Sequence, residues 1–288
     1  MYSERFEYFR PKTLAEASQL LKKHKGARLL AGGHSLLPAM KLRLASPKAL
    51  VDIGRIKGLC GIEKRGKGIW IGATTIHADI ASSALLRKSC PVLSEAAAQI
   101  GDIQVRNRGT IGGSIAHADP AADLPTVLIA IGATVVAKGP KGERKIPAEK
   151  FFVDFFTTAL KAGEIVTAVL VPMQGKGTGA AYQKHPHPAS RFAVAGAAAV
   201  VTLRDGRCES ASLVVGGTTA NPVRVAAAEK ILVGNKPDAA AIAKAADQVP
   251  GAITDPLGDS YASGEFRKHL ATVLAKRALT AAVERARG

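Results

Sequence analysis

Apolar residues recur at helical spacing over residues 14–22, behind Pro11 and Thr13, and a short apolar run at 27–31 stops at Gly32-Gly33. The chain therefore opens as helix, strand and glycine turn. Residues 36–44 have a helical pattern and 49–53 that of a strand, while the runs 59–63 and 69–73 flank Arg65-Gly-Lys-Gly68 as a hairpin. Thr74 or Thr75 can cap a helix reaching about residue 86. A second helix covers 92–100, and a polar, glycine-bearing loop follows at 106–114. Asp119-Pro120 offers an N-cap with proline at the first helical position, opening a helix to about residue 131. Strands are expected at 134–138 and 165–171.

The texture then changes. Gly175-Lys-Gly-Thr-Gly179 reads as a linker. Beyond it, residues 180–184, 193–203 and 208–215 read as a three-strand meander, its last two strands joined at Asp205-Gly206. Helical patterns follow at 224–232, 238–248 and 265–287. The expected fold class is α+β, and there is no internal repeat or low-complexity tract.

Composition narrows the picture. With 47% apolar and 22% charged residues over 288 positions, the chain is a folded globular protein. Its longest uncharged apolar run, 192–203, falls short of the roughly 18 residues a membrane helix needs. The first ten residues mix both signs of charge and do not read as a secretory signal, so a cytoplasmic location is expected. Cys60, Cys90 and Cys208 are too dispersed for a disulfide framework or a thiolate cluster, and are expected to be reduced core residues. A net charge of +17 suits an anionic ligand, an acidic partner or nucleic acid. Aromatics are only 5% and no nucleic-acid fingerprint is present, so the last of these is not expected.

Two glycine turns carry most of the chemistry. In Leu29-Leu-Ala-Gly-Gly-His-Ser35 and in Thr110-Ile-Gly-Gly-Ser114, missing Cβ atoms let backbone amides approach an anion, with hydroxyls close by. Each alone is also an ordinary tight turn; together they suit a dinucleotide pyrophosphate. Asp119 and Asp123 either cap the following helix or accept hydrogen bonds from ribose or ribityl hydroxyls. Gly61-Ile-Glu-Lys-Arg-Gly-Lys-Gly68 imitates a phosphate loop, but Gly68 stands where a magnesium-binding hydroxyl belongs, and its flanks read as a hairpin. No G-x-G-x-x-G opens a helix, so a dinucleotide would be held on a fold other than the Rossmann type. His34 is a pocket-lining candidate. His185-Pro-His-Pro188 has no third ligand, and no metal site and no catalytic acid, base or nucleophile is expected on the chain.

Ala31-Gly-Gly-His-Ser35 followed by Leu36-Leu-Pro-Ala-Met-Lys-Leu42, with Thr110-Ile-Gly-Gly-Ser114 followed by Ala118-Asp-Pro-Ala-Ala-Asp123, resembles the medium, FAD-binding subunits of molybdenum hydroxylases. The carbon monoxide dehydrogenase type is the nearest. Val215-Gly-Gly-Thr-Thr-Ala-Asn-Pro-Val-Arg224 and Asp259-Ser-Tyr-Ala-Ser-Gly-Glu-Phe-Arg267 resemble that family's C-terminal signatures, so the likeness spans the chain. It implies a PCMH-type FAD-binding domain over residues 1–175, in two subdomains of about 1–57 and 58–175. A C-terminal domain with a three-stranded antiparallel sheet and helices would follow over 178–288. It further implies that Ala31, Gly32, Gly33, His34 and Ser35 meet the FAD pyrophosphate together with Thr110, Ile111, Gly112, Gly113 and Ser114. Asp123 would meet the cofactor's hydroxyls, and Lys184 would lie near the flavin.

Ser114 stands where many relatives have Asn, and Phe192 where some carry an acidic residue. The three scattered cysteines exclude the extra iron–sulfur cluster of some benzoyl-CoA reductases. The implied partners are a large molybdopterin subunit and a small 2Fe-2S subunit, assembled as a dimer of heterotrimers, with FAD passing electrons to an external acceptor. Two other readings stand beside this one: a stand-alone flavoprotein oxidase of the same fold, and a cofactor-free assembly module.

Overall fold

A computed structural model describes residues 2–288. Its first part is β1 (Glu7–Phe9), α1 (Leu14–Lys23), β2 (Arg28–Leu30), α2 (Leu36–Lys41) and β3 (Ala49–Asp52). β3 lies between β1 and β2 and is parallel to both. Parallel neighbours need helical crossovers, which α1 and α2 supply. Thr13 caps α1 by accepting the Glu16 amide, and the helix ends on Lys22 and Lys23, which suit its negative pole.

The second part contains β4 (Ile62–Arg65), β5 (Gly68–Gly72), α3 (His77–Ser82), α4 (Ala84–Ser89), α5 (Pro91–Ala98), α6 (Ile103–Arg106), α7 (Ile111–His117) and α8 (Asp123–Ala130). Then come β6 (Thr134–Gly139), β7 (Gly142–Pro147), a small ribbon of β8 (Phe152–Asp154) and β9 (Thr157–Thr158), and β10 (Ile165–Pro172). The sheet order is β4-β5-β10-β6-β7, antiparallel throughout. The imitation phosphate loop is the β4–β5 hairpin, as its flanks indicated.

The third part is a meander of β11 (Thr178–Pro186), β12 (Ala193–Arg204) and β13 (Arg207–Gly216), edged by the two-residue β14 (Val223–Arg224). α9 (Ala226–Leu232), α10 (Ala239–Ala246), α11 (Val249–Ala252) and α12 (Gly264–Arg287) follow. The two faces of this sheet have different neighbours, because side chains alternate along a strand. Ala181, Ala195, Ala197, Ala199 and Val215 join the apolar cluster containing α12, whereas Ala180, Tyr182, Ala198 and Val214 join the core of the second part. α8 lies between, and all eight of its residues are buried.

Several local expectations need correction. Neither Thr74 nor Thr75 caps a helix: Thr75 Oγ1 accepts the Gly61 amide at 2.9 Å, and the long helix expected there is split at Ser83, which caps α4. Asp119 is not an N-cap. Its Oδ1 accepts the Ala121 amide in a turn, Ala118 adopts left-handed φ to end α7, and α8 begins only at Asp123. The loop expected at 106–114 instead hands over to α7 at Ile111, because Thr110 caps it. Gly179 belongs to β11 rather than to a linker. Cys90 and Cys208 are buried, but Cys60 is exposed.

One ion pair fastens β7 to the start of β10. Glu164 receives Arg144 Nε and Nη2 at 2.7 Å each, and the Lys161 amide at 2.7 Å. These donors, the guanidinium foremost, hold the carboxyl down to about 2 from the usual 4.5. With the folded value depressed, the pair's stabilisation is complete above pH 4.5 and fades as pH falls through about 2. Urea unfolding should therefore find Glu164→Gln less stable than the parent at neutral pH, with the difference vanishing in strong acid.

Candidate functional site

The two glycine segments meet face to face. β2 carries the first to Gly32, and a Cβ there would overlap the carbonyl oxygen of Arg108 and crowd Gly109, which immediately precedes Thr110. Gly33 turns the chain with φ of +76°, a conformation open to glycine at little cost. Both segments line one cavity of about 670 Å³, within the roughly 300–1,000 Å³ of small-molecule sites.

The segments differ in what their amides do. None of the Gly32, Gly33, His34 and Ser35 amides donates to an acceptor among the described residues, and the Ser35 hydroxyl makes no cap bond. His34 Nδ1 lies 3.2 Å from Gly32 O, which folds its ring back over the turn. This is an open nest of donors. In the second segment four of the five amides are engaged: Ile111 to Thr75 O, Gly112 to Ala73 O, Gly113 to Thr110 Oγ1 and Ser114 to Thr110 O. The expectation of two equal amide cradles is therefore corrected. The second segment offers the cavity a rigid wall and the Ser114 side chain, while Ile111 is fully buried and outside the cavity lining.

Asp123 and Lys184 are brought together across the junction of the second and third parts. Because 180, 182 and 184 share one face of β11, Tyr182 and Lys184 both reach the first residue of α8. Tyr182 donates to Asp123 Oδ1 at 2.7 Å, and Lys184 Nζ lies 2.9 Å from the carboxylate and 3.1 Å from Gln99 O. Asp123 is 4% exposed and the Lys184 side chain 1%. Burial pushes the carboxyl upward against the opposing pull of Lys184 and Tyr182, and the Tyr182 hydroxyl is held well above its ordinary range by burial and by Asp123. Asp123 borders the cavity with its carboxylate already partnered. Lys184 stands behind it and does not line the cavity.

Sequence reasoning missed other wall residues. Arg28, Arg191 and Phe192 are among them. Phe156 stacks on His117 with ring centroids 4.9 Å apart. Arg191 and Phe156 both adopt left-handed φ, a strained turn geometry that one sequence does not advertise. His77 also lines the cavity; its position in a helical apolar pattern gave no sign of this. Among the described residues no cluster of His, Cys, Asp or Glu could hold a metal ion, and no helix is long and apolar enough to cross a membrane.

Residues 4–174 match the family described as the FAD binding domain in molybdopterin dehydrogenase, and residues 180–282 match the CO dehydrogenase flavoprotein C-terminal domain. The chain belongs to this family. It is 40% identical to the carbon monoxide dehydrogenase medium chain of Hydrogenophaga pseudoflava, over 98% of both chains. It is 29% identical to the xanthine dehydrogenase FAD-binding subunit of Escherichia coli O157:H7, over 98% of this chain and 97% of that one. A solved carbon monoxide dehydrogenase from Hydrogenophaga pseudoflava superposes with a TM-score of 0.96 at 41% identity, covering 99% of each chain. Quinoline 2-oxidoreductase from Pseudomonas putida 86 superposes at 0.94 with 30% identity, again over 99% of each. The resemblance in the glycine segments was thus to the right family. The chain is an oxidoreductase subunit of the xanthine dehydrogenase family, and its cofactor is FAD.

The open nest fits that cofactor. Four unpaired amides at one turn suit a diphosphate, whose oxygens accept and never donate when ionised.

The buried pair predicts a stability effect that its neighbours amplify. Asp123→Ala strands the Lys184 ammonium without a counter-charge, and should cost about 3–5 kcal/mol by urea denaturation. Lys184→Met in the same chain should recover a large share of that loss, giving a strong coupling energy in the double-mutant cycle.

Proposed function

We propose that this chain is the electron-exit subunit of a three-subunit molybdenum hydroxylase of the carbon monoxide dehydrogenase type. FAD in the cavity would receive electrons from a small 2Fe-2S partner, fed by a large molybdopterin partner that oxidises the substrate. An external acceptor would then take them. FAD supplies the exchange between single-electron and paired-electron transfer. The assembly would be a cytoplasmic dimer of heterotrimers. Within the chain, residues 1–175 would form the FAD-binding domain, in subdomains of about 1–57 and 58–175, and residues 178–288 the C-terminal domain.

The observation that carries the reading is the single cavity bounded by both glycine segments, with four free amides at one of them. The chain's own residues bind and orient. The amides of Gly32, Gly33, His34 and Ser35, with the Ser35 hydroxyl, would hold the diphosphate. Thr110 and Ser114 would form the facing wall, which the bonded amides of Ile111, Gly112, Gly113 and Ser114 keep rigid. Lys184 and Tyr182 hold the Asp123 carboxylate in the wall for the cofactor's hydroxyls. Phe156 and Phe192, which line the cavity while partly exposed, would shield the bound cofactor from water.

The chain purified with FAD should show flavin bands near one equivalent that bleach with dithionite. Ser35→Glu places a negative charge in the nest at a helix start that tolerates acids, so it should keep the fold and lower FAD affinity at least about tenfold. A folded parent that ignores FAD, both alone and co-purified with its two expected partners, would remove the proposal. Retention of flavin without those partners' binding would favour the stand-alone reading.

A further inference from the structure

One wall residue, His77, has ring nitrogens that no other described residue uses. His77 opens α3, and its amide donates to Gly109 O at 2.9 Å, so it is fastened to the segment just ahead of Thr110. The residue is 4% exposed and lines the cavity. Its Nδ1 is sealed off and has no hydrogen-bond partner. The other edge of the ring lies over Gly109, where a Cβ would stand 2.8 Å from Cδ2 and 3.0 Å from Nε2. Gly109 is also the residue that crowds Gly32. The imidazole therefore sits where the two glycine segments touch.

Its protonation state follows from these surroundings. Burial, with the charges of Arg106 and His34 acting in the same direction, holds the ring down to about 4. At neutral pH it is uncharged and carries a single N–H. Placing that proton on Nδ1 would bury a donor with no acceptor, whereas placing it on Nε2 buries only a lone pair, the less costly of the two orphans. The favoured tautomer thus presents an N–H on the edge that borders the cavity.

We propose that His77 is a binding residue for the dinucleotide, its Nε2–H donating to a diphosphate oxygen beside the open amide nest. The inference rests on the FAD reading above and adds to it a side-chain donor from the start of α3, beside the second segment, four of whose five amides are spent. No described residue accepts from Nε2 in the empty protein, and the diphosphate oxygen would supply that acceptor, while Nδ1 keeps its buried lone pair. An uncharged donor suits this place, since a permanently charged group buried here would need a partner even without ligand.

The test uses the full chain stripped of flavin and titrated with FAD, read by quenching of flavin fluorescence. His77→Leu should weaken binding about tenfold or more, the loss of a hydrogen bond to a charged acceptor. His77→Gln, whose amide nitrogen can stand in for Nε2, should restore most of it. ADP, which shares the diphosphate but has no flavin, should show the same order of affinities by calorimetry. A purely structural role would lower the melting temperature of the empty chain in His77→Leu; relieved of a buried orphan, it should instead melt at or above the parent.

Parent-like FAD affinity in a folded His77→Leu overturns the inference and leaves the FAD reading intact. A parent that takes no FAD overturns both. Should the Leu variant fail to fold, nitrogen-15 spectra of histidine-labelled parent decide. Nε2 protonated, with a resonance that moves on adding FAD or ADP, supports the assignment. A proton on Nδ1, or an Nε2 signal indifferent to ligand, refutes it.

Discussion

The close approach of Gly32 to the Arg108 carbonyl is the constraint on which the cavity depends. The parallel three-stranded part and the antiparallel five-stranded part bring one glycine segment each, and they can touch only because no side chain intervenes. A Cβ at Gly32 would wedge the two parts apart, whatever ligand lies between them. Gly112 is under the same restriction against Ala73. These glycines therefore answer first to backbone packing, and the free amides beside Gly32 are a consequence of the turn that this packing fixes.

The third part is tied on by polar chemistry buried between α8 and β11. Packing a sheet of alanines and valines against an all-buried helix is adhesive without being specific, since small apolar side chains slide past one another at modest cost. The Asp123 carboxylate, with Tyr182 and Lys184 on it, allows one register only. Slipping β11 by one residue would turn both donors to the face packed on α12 and leave the carboxylate bare. Arg267 adds a second tie, donating to Val194 O and Gly217 O and so holding the start of β12 below Phe192 at the cavity rim.

Most regular elements were legible in the sequence, because period-two and helical patterns are local. The β4–β5 hairpin, the meander and α12 lie within a few residues of their expected limits. What was not legible depended on partners distant in sequence. Thr75 resembles a helix cap until Gly61 claims its hydroxyl. The second glycine segment resembles an anion cradle until Ala73 and Thr75 accept its amides. β1 and β7 are short or strongly charged edge strands, which show no apolar alternation of their own. At the site, the motif residues were legible but the division of labour between them was not. An amide's availability is a property of the folded chain, and His77 gives no local signal at all.

The charge arrangement around the cavity follows from the same buried pair. A diphosphate carries about two negative charges, and an isolated carboxylate in the wall would repel it strongly at the low dielectric of a closed site. Lys184 cancels that repulsion from behind, where its ammonium does not compete with the ligand for space. Asp123 can then keep acceptor capacity toward hydroxyls while contributing little net field. Arg28 and Arg191, also in the lining, are left to set the sign of the potential a ligand meets. The excess of basic residues over the chain as a whole reinforces this at long range and is screened by salt, whereas the Lys184–Asp123 cancellation acts inside the wall, where salt does not reach. The local pair, and not the overall +17, is therefore what makes a carboxylate-lined cavity hospitable to an anionic dinucleotide.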